Sequence, residues 1–139
     1  MILGYTRIMN NLGLLIFRVM VGGMLLFGHG LDKLMHFSSR AQIFPNVTGL
    51  GSTFTLSFAV FAEVFCAFAV MLGFATRLAA LPVMTTMLVA AVFIHMNDPF
   101  QKKELALLFF SSFTLIFFTG AGSWSIDGIM NSNGFLRRR

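Results

Sequence analysis

Long apolar runs separated by short polar segments predict that this chain forms transmembrane helices. Four runs lie at about residues 12–34, 54–73, 78–94 and 104–119. Each is close to the roughly 20 apolar residues that a helix needs to cross a bilayer. The pattern predicts an all-α, four-transmembrane-helix bundle that forms a single membrane domain over residues 1–139. An outer loop at 37–53 and a basic C-terminal tail at 128–139 complete it.

The second run contains one ionisable residue, Glu63, near its midpoint. At about 100° per residue, a narrow stripe of phenylalanines lies on the opposite side of this helix. The stripe consists of Phe54, Phe58, Phe61, Phe65 and Phe68. An unpaired carboxylate in hydrocarbon costs several kcal/mol, so we expect Glu63 to face protein and the phenylalanines to face lipid.

The first run carries a polar stripe along one side of its helix. The stripe consists of Asn11, Arg18, Gly22, His29, Asp32, Lys33 and His36. At a rise of about 1.5 Å per residue, Arg18 and Glu63 lie roughly 10 and 15 Å from the same membrane surface. We therefore expect an ion pair between Arg18 and Glu63. The pair would either belong to a functional pocket or only fix the register of two helices.

His29 and His95 are expected near the outer leaflet. The histidine side chain changes its charge near neutral pH. They could bind a polar head group, hydrogen-bond a quinone oxygen and pass its protons, or serve only as interfacial residues. They could also ligate a haem iron, but no His-rich or Cys-rich spacing supports a metal site, so no metal is predicted and haem is disfavoured. The expected pocket consists of Arg18, His29, Lys33, Glu63, His95 and Glu104.

The fourth run is expected to repeat the arrangement of the second. Glu104 and Ser111 would face the bundle, while Phe109, Phe113 and Phe117 would face lipid. The run would then present its polar side to the same interior as Glu63.

The composition supports membrane insertion and excludes several function classes. The chain is 57% hydrophobic and 11% charged, with a mean hydropathy of +0.83, whereas soluble domains carry about 25% charged residues. Cys66 is the single cysteine, which excludes an intramolecular disulfide and Cys-pair redox chemistry. The net charge is +5. The sequence contains no aromatic or basic nucleic-acid recognition module beside that charge, so no nucleic-acid partner is expected.

The basic residues indicate the orientation of the bundle. With four spans, both termini lie on one side, together with Arg7, Arg77 and the terminal arginines 137–139. The other side carries Lys33, Arg40, Lys102 and Lys103. Because Lys33 is expected inside the bundle, the positive-inside rule favours cytoplasmic termini.

Several of these residues occur in an order that resembles the DoxX family of small bacterial membrane proteins. The resemblance covers roughly residues 12–127. It rests on Arg18, His29-Gly30 and Lys33, on Glu63 followed by Leu72-Gly73-Phe74 and Arg77, on Glu104, and on a closing motif with Gly120, Gly122, Ser125 and Asp127. Ala121 stands where a proline is common in that motif.

The resemblance implies a four-helix bundle in the bacterial inner membrane. The family is named for a small subunit associated with thiosulfate:quinone oxidoreductase, and relatives are linked to membrane oxidoreductase complexes. We therefore expect an accessory subunit of a quinone-linked redox system, with membrane lipids and redox-complex subunits as partners. A quinone or lipid-like ligand would occupy the polar pocket, and homo-oligomer formation stays open. The alternatives are a non-enzymatic membrane scaffold and a small-molecule or proton transporter.

Overall fold

The computed structural model describes the backbone of residues 2–136 and the side chains of residues 4–132. Helices make up most of this part of the chain and it contains no strand, so the all-α prediction is confirmed. The helices are α1 (residues 2–35), α2 (Phe37–Arg40), α3 (Ser52–Leu72), α4 (Thr76–Ile94), α5 (Phe100–Thr119) and α6 (Ile126–Leu136). The last three arginines of the predicted basic tail, residues 137–139, lie outside the described residues.

Three of these helices are long and apolar enough to cross a membrane: Gly4–Met35, Ser52–Leu72 and Thr76–Ile94. Helix α5 has 20 residues and lies where the fourth span was predicted, but Lys102, Lys103 and Glu104 are close to its start. Its assignment as a span stays a prediction. Helix α1 begins about ten residues before the predicted first span, because no proline interrupts the sequence there.

The four long helices enclose an apolar core. Helix α1 packs on the C-terminal part of α3, and α4 packs along α5. The largest fully buried side chains include Leu25, Leu56, Val70, Val83 and Phe113. On α3, the five phenylalanines of the predicted stripe are 38 to 59% exposed, whereas Glu63 is only 3% exposed. Helix α3 therefore separates its outward and inward faces as its periodicity predicts.

Helix α5 faces the other way from the prediction. Phe109 is 6% exposed and Phe113 is fully buried, whereas Leu108 is 58% and Leu115 51% exposed. The expectation that these phenylalanines face lipid is therefore wrong. Aromatic side chains suit lipid and core equally well, so periodicity identified the two faces of α5 without identifying which one is inside.

A tight turn joins α3 to α4. Gly73 adopts a left-handed conformation at φ 70° and ψ 40°, and the N–H groups of Gly73 and Phe74 donate to the carbonyls of Val70 and Ala69. This pair of hydrogen bonds is a Schellman motif, which ends a helix at a left-handed glycine. Ala75 follows with φ 44°, so the chain reverses within three residues.

The connection from α2 to α3 is held to the bundle at several points. Arg40 forms an ion pair with Asp32 of α1. Closer to α3, the Thr48 and Thr55 hydroxyls lie 3.0 Å apart. These ties place the connection over the end of the bundle where α1 ends and α3 begins.

Candidate functional site

A buried ion pair lies between α1 and α3. The Nζ atom of Lys33 is 2.5 Å from Oε2 of Glu63, and the two side chains are 17% and 4% exposed. Charges in an apolar bundle require partners because desolvation is costly. The buried position of Glu63 predicts that it needs a partner, and Lys33 is that partner.

The predicted ion pair between Arg18 and Glu63 is not formed, and this is a correction. Arg18 instead donates from Nε to the Met71 carbonyl at 3.2 Å and from its terminal nitrogens to the carbonyls of Ala121 and Trp124. A guanidinium has five N–H donors in a planar fork, which suits several carbonyls at once. Arg18 therefore binds the end of α3 and the closing segment rather than the carboxylate.

Close approach of α1 to α3 explains why Lys33 reaches Glu63. A Cβ atom on Gly30 would lie 2.6 Å from the Glu63 carbonyl oxygen. No larger residue fits at this position without displacing one helix, so Gly30 sets the spacing between the two backbones. Lys33 lies one turn further along α1, on the same side.

A cavity of about 380 Å³ opens beside the ion pair. Its polar residues come from all four long helices and from the connection before α3. They are His29, Lys33, Glu63, Thr85, Thr86, His95 and Lys102, with Thr48 and Thr55 near the connection. The remaining wall is apolar and includes Phe44, Phe58, Phe93 and Phe109. The cavity thus combines a mostly apolar wall with a few convergent polar groups, the usual character of a small-molecule site.

The two histidines of the cavity are held differently. The His29 ring contacts Phe109 edge to face, with ring centroids 5.9 Å apart. The Nδ1 atom of His95 lies 2.7 Å from a carboxylate oxygen of Asp98. This side-chain hydrogen bond lowers the pKa of the Asp98 carboxyl, and Lys102 adds to the effect. Asp98 therefore fixes the His95 ring at the cavity rim.

The structure brings together four of the six predicted pocket residues: His29, Lys33, Glu63 and His95. Arg18 and Glu104 do not line the cavity. Glu104 is exposed. The side of α5 that faces the cavity carries Lys102, Ala106 and Phe109. Glu104 lies about 200° around the helix from both Lys102 and Ala106, so its side chain points away from the cavity. The spacing of Ala106 and Phe109 is the signal that could have identified this face.

The sequence also did not indicate the threonines of α4 or the cavity residues in the connection between α2 and α3. The Thr85 and Thr86 hydroxyls donate to the carbonyls of Leu81 and Pro82, one turn earlier, at 3.0 and 2.9 Å. These bonds satisfy the hydroxyls within their own helix, so the two threonines are compatible with an apolar span and do not indicate a polar site in the sequence. Phe44 and Pro45 reach the cavity from an irregular segment, for which periodicity gives no signal.

Three π-helical turns coincide with the cavity. They span Leu26–Gly30, Phe61–Cys66 and Ala90–Ile94. The first contains His29, the second contains Glu63, and the third immediately precedes His95. A π turn widens the helix by one residue and often occurs at functional sites. The coincidence supports the cavity as the candidate site.

The closing motif forms a separate polar cluster at the other end of the bundle. The Asp127 carboxylate accepts hydrogen bonds from the backbone N–H groups of Ala75 and Thr76 and from the Thr76 hydroxyl, at 2.7 to 2.9 Å. Burial alone would raise the pKa of Asp127, but the bonds from Thr76 and Ala75 outweigh it and lower the pKa. Asp127 therefore caps the N-terminus of α4.

The other residues of the motif shape the same cluster. Gly120 and Gly122 have φ values of 75° and 76°, which L side chains rarely adopt. Ser125 is buried, and its hydroxyl donates to the Gly122 carbonyl at 2.5 Å. Together with Arg18 these contacts fasten the segment after α5 onto the turn between α3 and α4. The motif thus connects three parts of the bundle.

The fold and the site define a multi-pass membrane protein with a buried ion pair beside an amphipathic cavity. The family model of DoxX matches residues 13–96, and the chain belongs to the DoxX family. This match includes Arg18, His29, Lys33, Glu63 and His95. No curated protein and no solved structure matches the chain significantly.

Proposed function

We propose that this protein is a small accessory subunit of a quinone-linked redox system in the bacterial inner membrane. In this role its cavity binds a quinone or a lipid-like molecule. The observation that carries the proposal is the cavity of about 380 Å³, in which a mostly apolar wall meets Lys33, Glu63 and two histidines.

The size and lining of the cavity suit an amphipathic molecule. Ligand pockets commonly measure about 300 to 1,000 Å³ and bury most of the ligand surface. A substituted six-membered ring with the first part of an aliphatic chain fits this range. The ring would lie near Lys33 and Glu63, and the chain would follow the phenylalanines.

The cavity also has a route to lipid. Phe58 and Phe93 line it and are 38% and 64% exposed, so its wall is continuous with the outer surface of α3 and α4. A membrane-dissolved ligand could therefore enter sideways between these helices. The connection carrying Phe44 and Pro45 covers the cavity on another side.

An accessory role follows from what the side chains offer. The polar groups at the cavity can donate hydrogen bonds, accept them and exchange protons, whereas electron transfer requires a redox group. We propose that a partner subunit supplies that group and that this chain holds the quinone.

The proposed orientation places both termini in the cytoplasm. Arg77 lies at the end of the bundle that contains the closing motif, where its guanidinium donates to the Phe118 carbonyl. Arg7 lies one turn before Asn11, which accepts a hydrogen bond from the Ser123 N–H, and three further arginines occupy positions 137–139 of the sequence. At the opposite end, Lys33 is neutralised by Glu63, which increases the difference between the two sides. The positive-inside rule then favours cytoplasmic termini.

Extraction of the purified protein tests the proposal. Protein in detergent is washed, and the bound lipids are extracted, separated by chromatography and compared with an extract of the parent membrane. We expect quinone to be enriched relative to phospholipid, and we expect Ala106→Phe, which fills the cavity, to remove it. An extract with the same quinone content as the membrane would overturn the proposal.

A non-enzymatic scaffold is the second candidate. The favouring observation is the network of Arg18, Asp127 and the closing motif, which stabilises the bundle without contacting the cavity. For a scaffold, both co-purification with redox subunits and quinone-dependent turnover of the complex would be unchanged in Ala106→Phe. A quinone-binding subunit would still assemble in this variant but would lose quinone-dependent turnover of the complex.

A further inference from the structure

We infer that the cavity selects a neutral aromatic head group that carries a hydroxyl, and hence binds a hydroquinone more tightly than the corresponding quinone. This inference rests on the proposed function, because it specifies the chemical form of the ligand at the same cavity. It follows from the charge, the hydrogen-bonding capacity and the aromatic lining of the site.

The charge of the site favours a neutral head group. Lys33 and Glu63 form a pair with no net charge, so neither an anionic nor a cationic head group would gain a net electrostatic attraction from it. At the rim, Asp98 accepts hydrogen bonds from both His95 and Lys102. A third buried charge would have to be desolvated without a free counter-charge, which is costly.

The second oxygen of Glu63 can accept a hydrogen bond from a ligand. Oε2 accepts the bond from Lys33, and no residue in the described part of the chain donates to Oε1. Among side chains 4–132, no nitrogen or oxygen is both enclosed and without a partner, so Oε1 is not sealed off, and Glu63 lines the cavity. An ionised carboxylate only accepts hydrogen bonds. A ligand hydroxyl can donate to it, whereas a quinone carbonyl cannot.

The same hydroxyl can also accept a hydrogen bond. The Lys33 ammonium has three N–H donors and uses one of them on Glu63 within residues 4–132. A hydroxyl placed between these two side chains would donate to Glu63 and accept from Lys33. A methyl ether would keep only the second of these bonds, and so would a carbonyl.

The walls of the cavity suit a flat ring. Phe109 and His29 meet edge to face at 5.9 Å, and Phe44, Phe58 and Phe93 also line the cavity. Aromatic rings pack favourably on such surfaces in offset or edge-to-face arrangements. The ring and the hydroxyl together define a phenolic head group.

The test uses three ligands with the same ring and side chain: a short-chain benzoquinone, its hydroquinone and the dimethyl ether of that hydroquinone. Each is titrated into the full chain in nanodiscs of fixed lipid composition, under anaerobic conditions, with protein-free nanodiscs correcting for partition into lipid. We expect the hydroquinone to bind roughly tenfold more tightly than either of the others, as one charge-assisted hydrogen bond requires. This comparison requires no variant.

A variant then assigns the preference to Glu63. In Lys33→Met/Glu63→Met, which leaves neither an unpaired charge nor a hydrogen-bond acceptor at the pair, we expect all three ligands to bind within about threefold of one another. Equal binding of the three ligands to the native protein would overturn the inference while leaving the proposed function intact. Binding of none of them would overturn both. A preference that persists in the double variant would also overturn the inference.

Discussion

The Nε atom of Arg18 lies 3.2 Å from the carbonyl oxygen of Met71 and donates a hydrogen bond to it. This contact ties the middle of α1 to the end of α3, and the other guanidinium nitrogens extend the tie to Ala121 and Trp124. Glu63 pairs with Lys33 instead. The two ionised groups first expected to form one pair therefore belong to two separate networks, one structural and one beside the cavity.

This separation predicts additivity between Arg18 and Glu63. Arg18→Met leaves three carbonyls without their donor and should lower the free energy of unfolding by roughly 3 kcal/mol. Because Arg18 and Glu63 share no partner, the double variant Arg18→Met/Glu63→Gln should equal the sum of the single changes within about 0.5 kcal/mol. The measurement is a double-mutant cycle by titration with sodium dodecyl sulfate, followed by circular dichroism. A coupling well above that value would restore the direct pair.

The matching cycle on Lys33 and Glu63 should give the opposite result. Removing one partner leaves an uncompensated buried charge, so Lys33→Met and Glu63→Gln should each cost about 3 to 5 kcal/mol. The double variant Lys33→Met/Glu63→Gln should recover much of that loss, giving a coupling energy of at least about 1 kcal/mol. The same detergent titration checks this. Additive effects would show that the pair contributes nothing specific to the fold.

The sequence predicted the burial of Glu63 but not its partner. Helical periodicity gives the face of the helix on which a side chain lies, and its position in the span gives its depth in the membrane. For Glu63 both predicted a buried side chain. The choice between Arg18 and Lys33 depended on two tertiary features without a periodic signal. One is the close approach of α1 to α3 at Gly30. The other is the closing segment, which folds back and supplies carbonyls to Arg18.

The candidate site was predictable to the extent that its residues lie on regular helices. His29, Lys33, Glu63 and His95 were identified because polar residues are rare in apolar runs and must face the interior. Glu104 was assigned to the site by the same rule and is exposed. Near the end of a helix a charged residue can reach water, so the rule loses its force there.

Asp127 should make stability depend on pH at the acid end. Its pKa is lowered in the folded protein, so the stabilisation is fully present above the unfolded value of about 3.9 and is lost as the pH falls through the folded value. Asp127→Asn should weaken the cap on α4 by roughly 1 kcal/mol at neutral pH and flatten this dependence. Thermal unfolding between neutral pH and about pH 3 checks it. An unchanged acid limb in the variant would show that Asp127 contributes nothing to it.

Two glycines of one π turn offer a matched test of the spacing between α1 and α3. A Cβ atom on Gly30 would lie 2.6 Å from the Glu63 carbonyl oxygen, whereas one on Gly28 would have no neighbour within 4 Å. Gly30→Ala must push the helices apart, so it should cost about 1 to 3 kcal/mol in detergent titrations and weaken ligand binding at the Lys33–Glu63 pair. Gly28→Ala should be neutral or stabilise by up to about 1 kcal/mol, because alanine favours the helix. If the two substitutions had equal effects, the close contact at Gly30 could not be what positions Lys33 against Glu63.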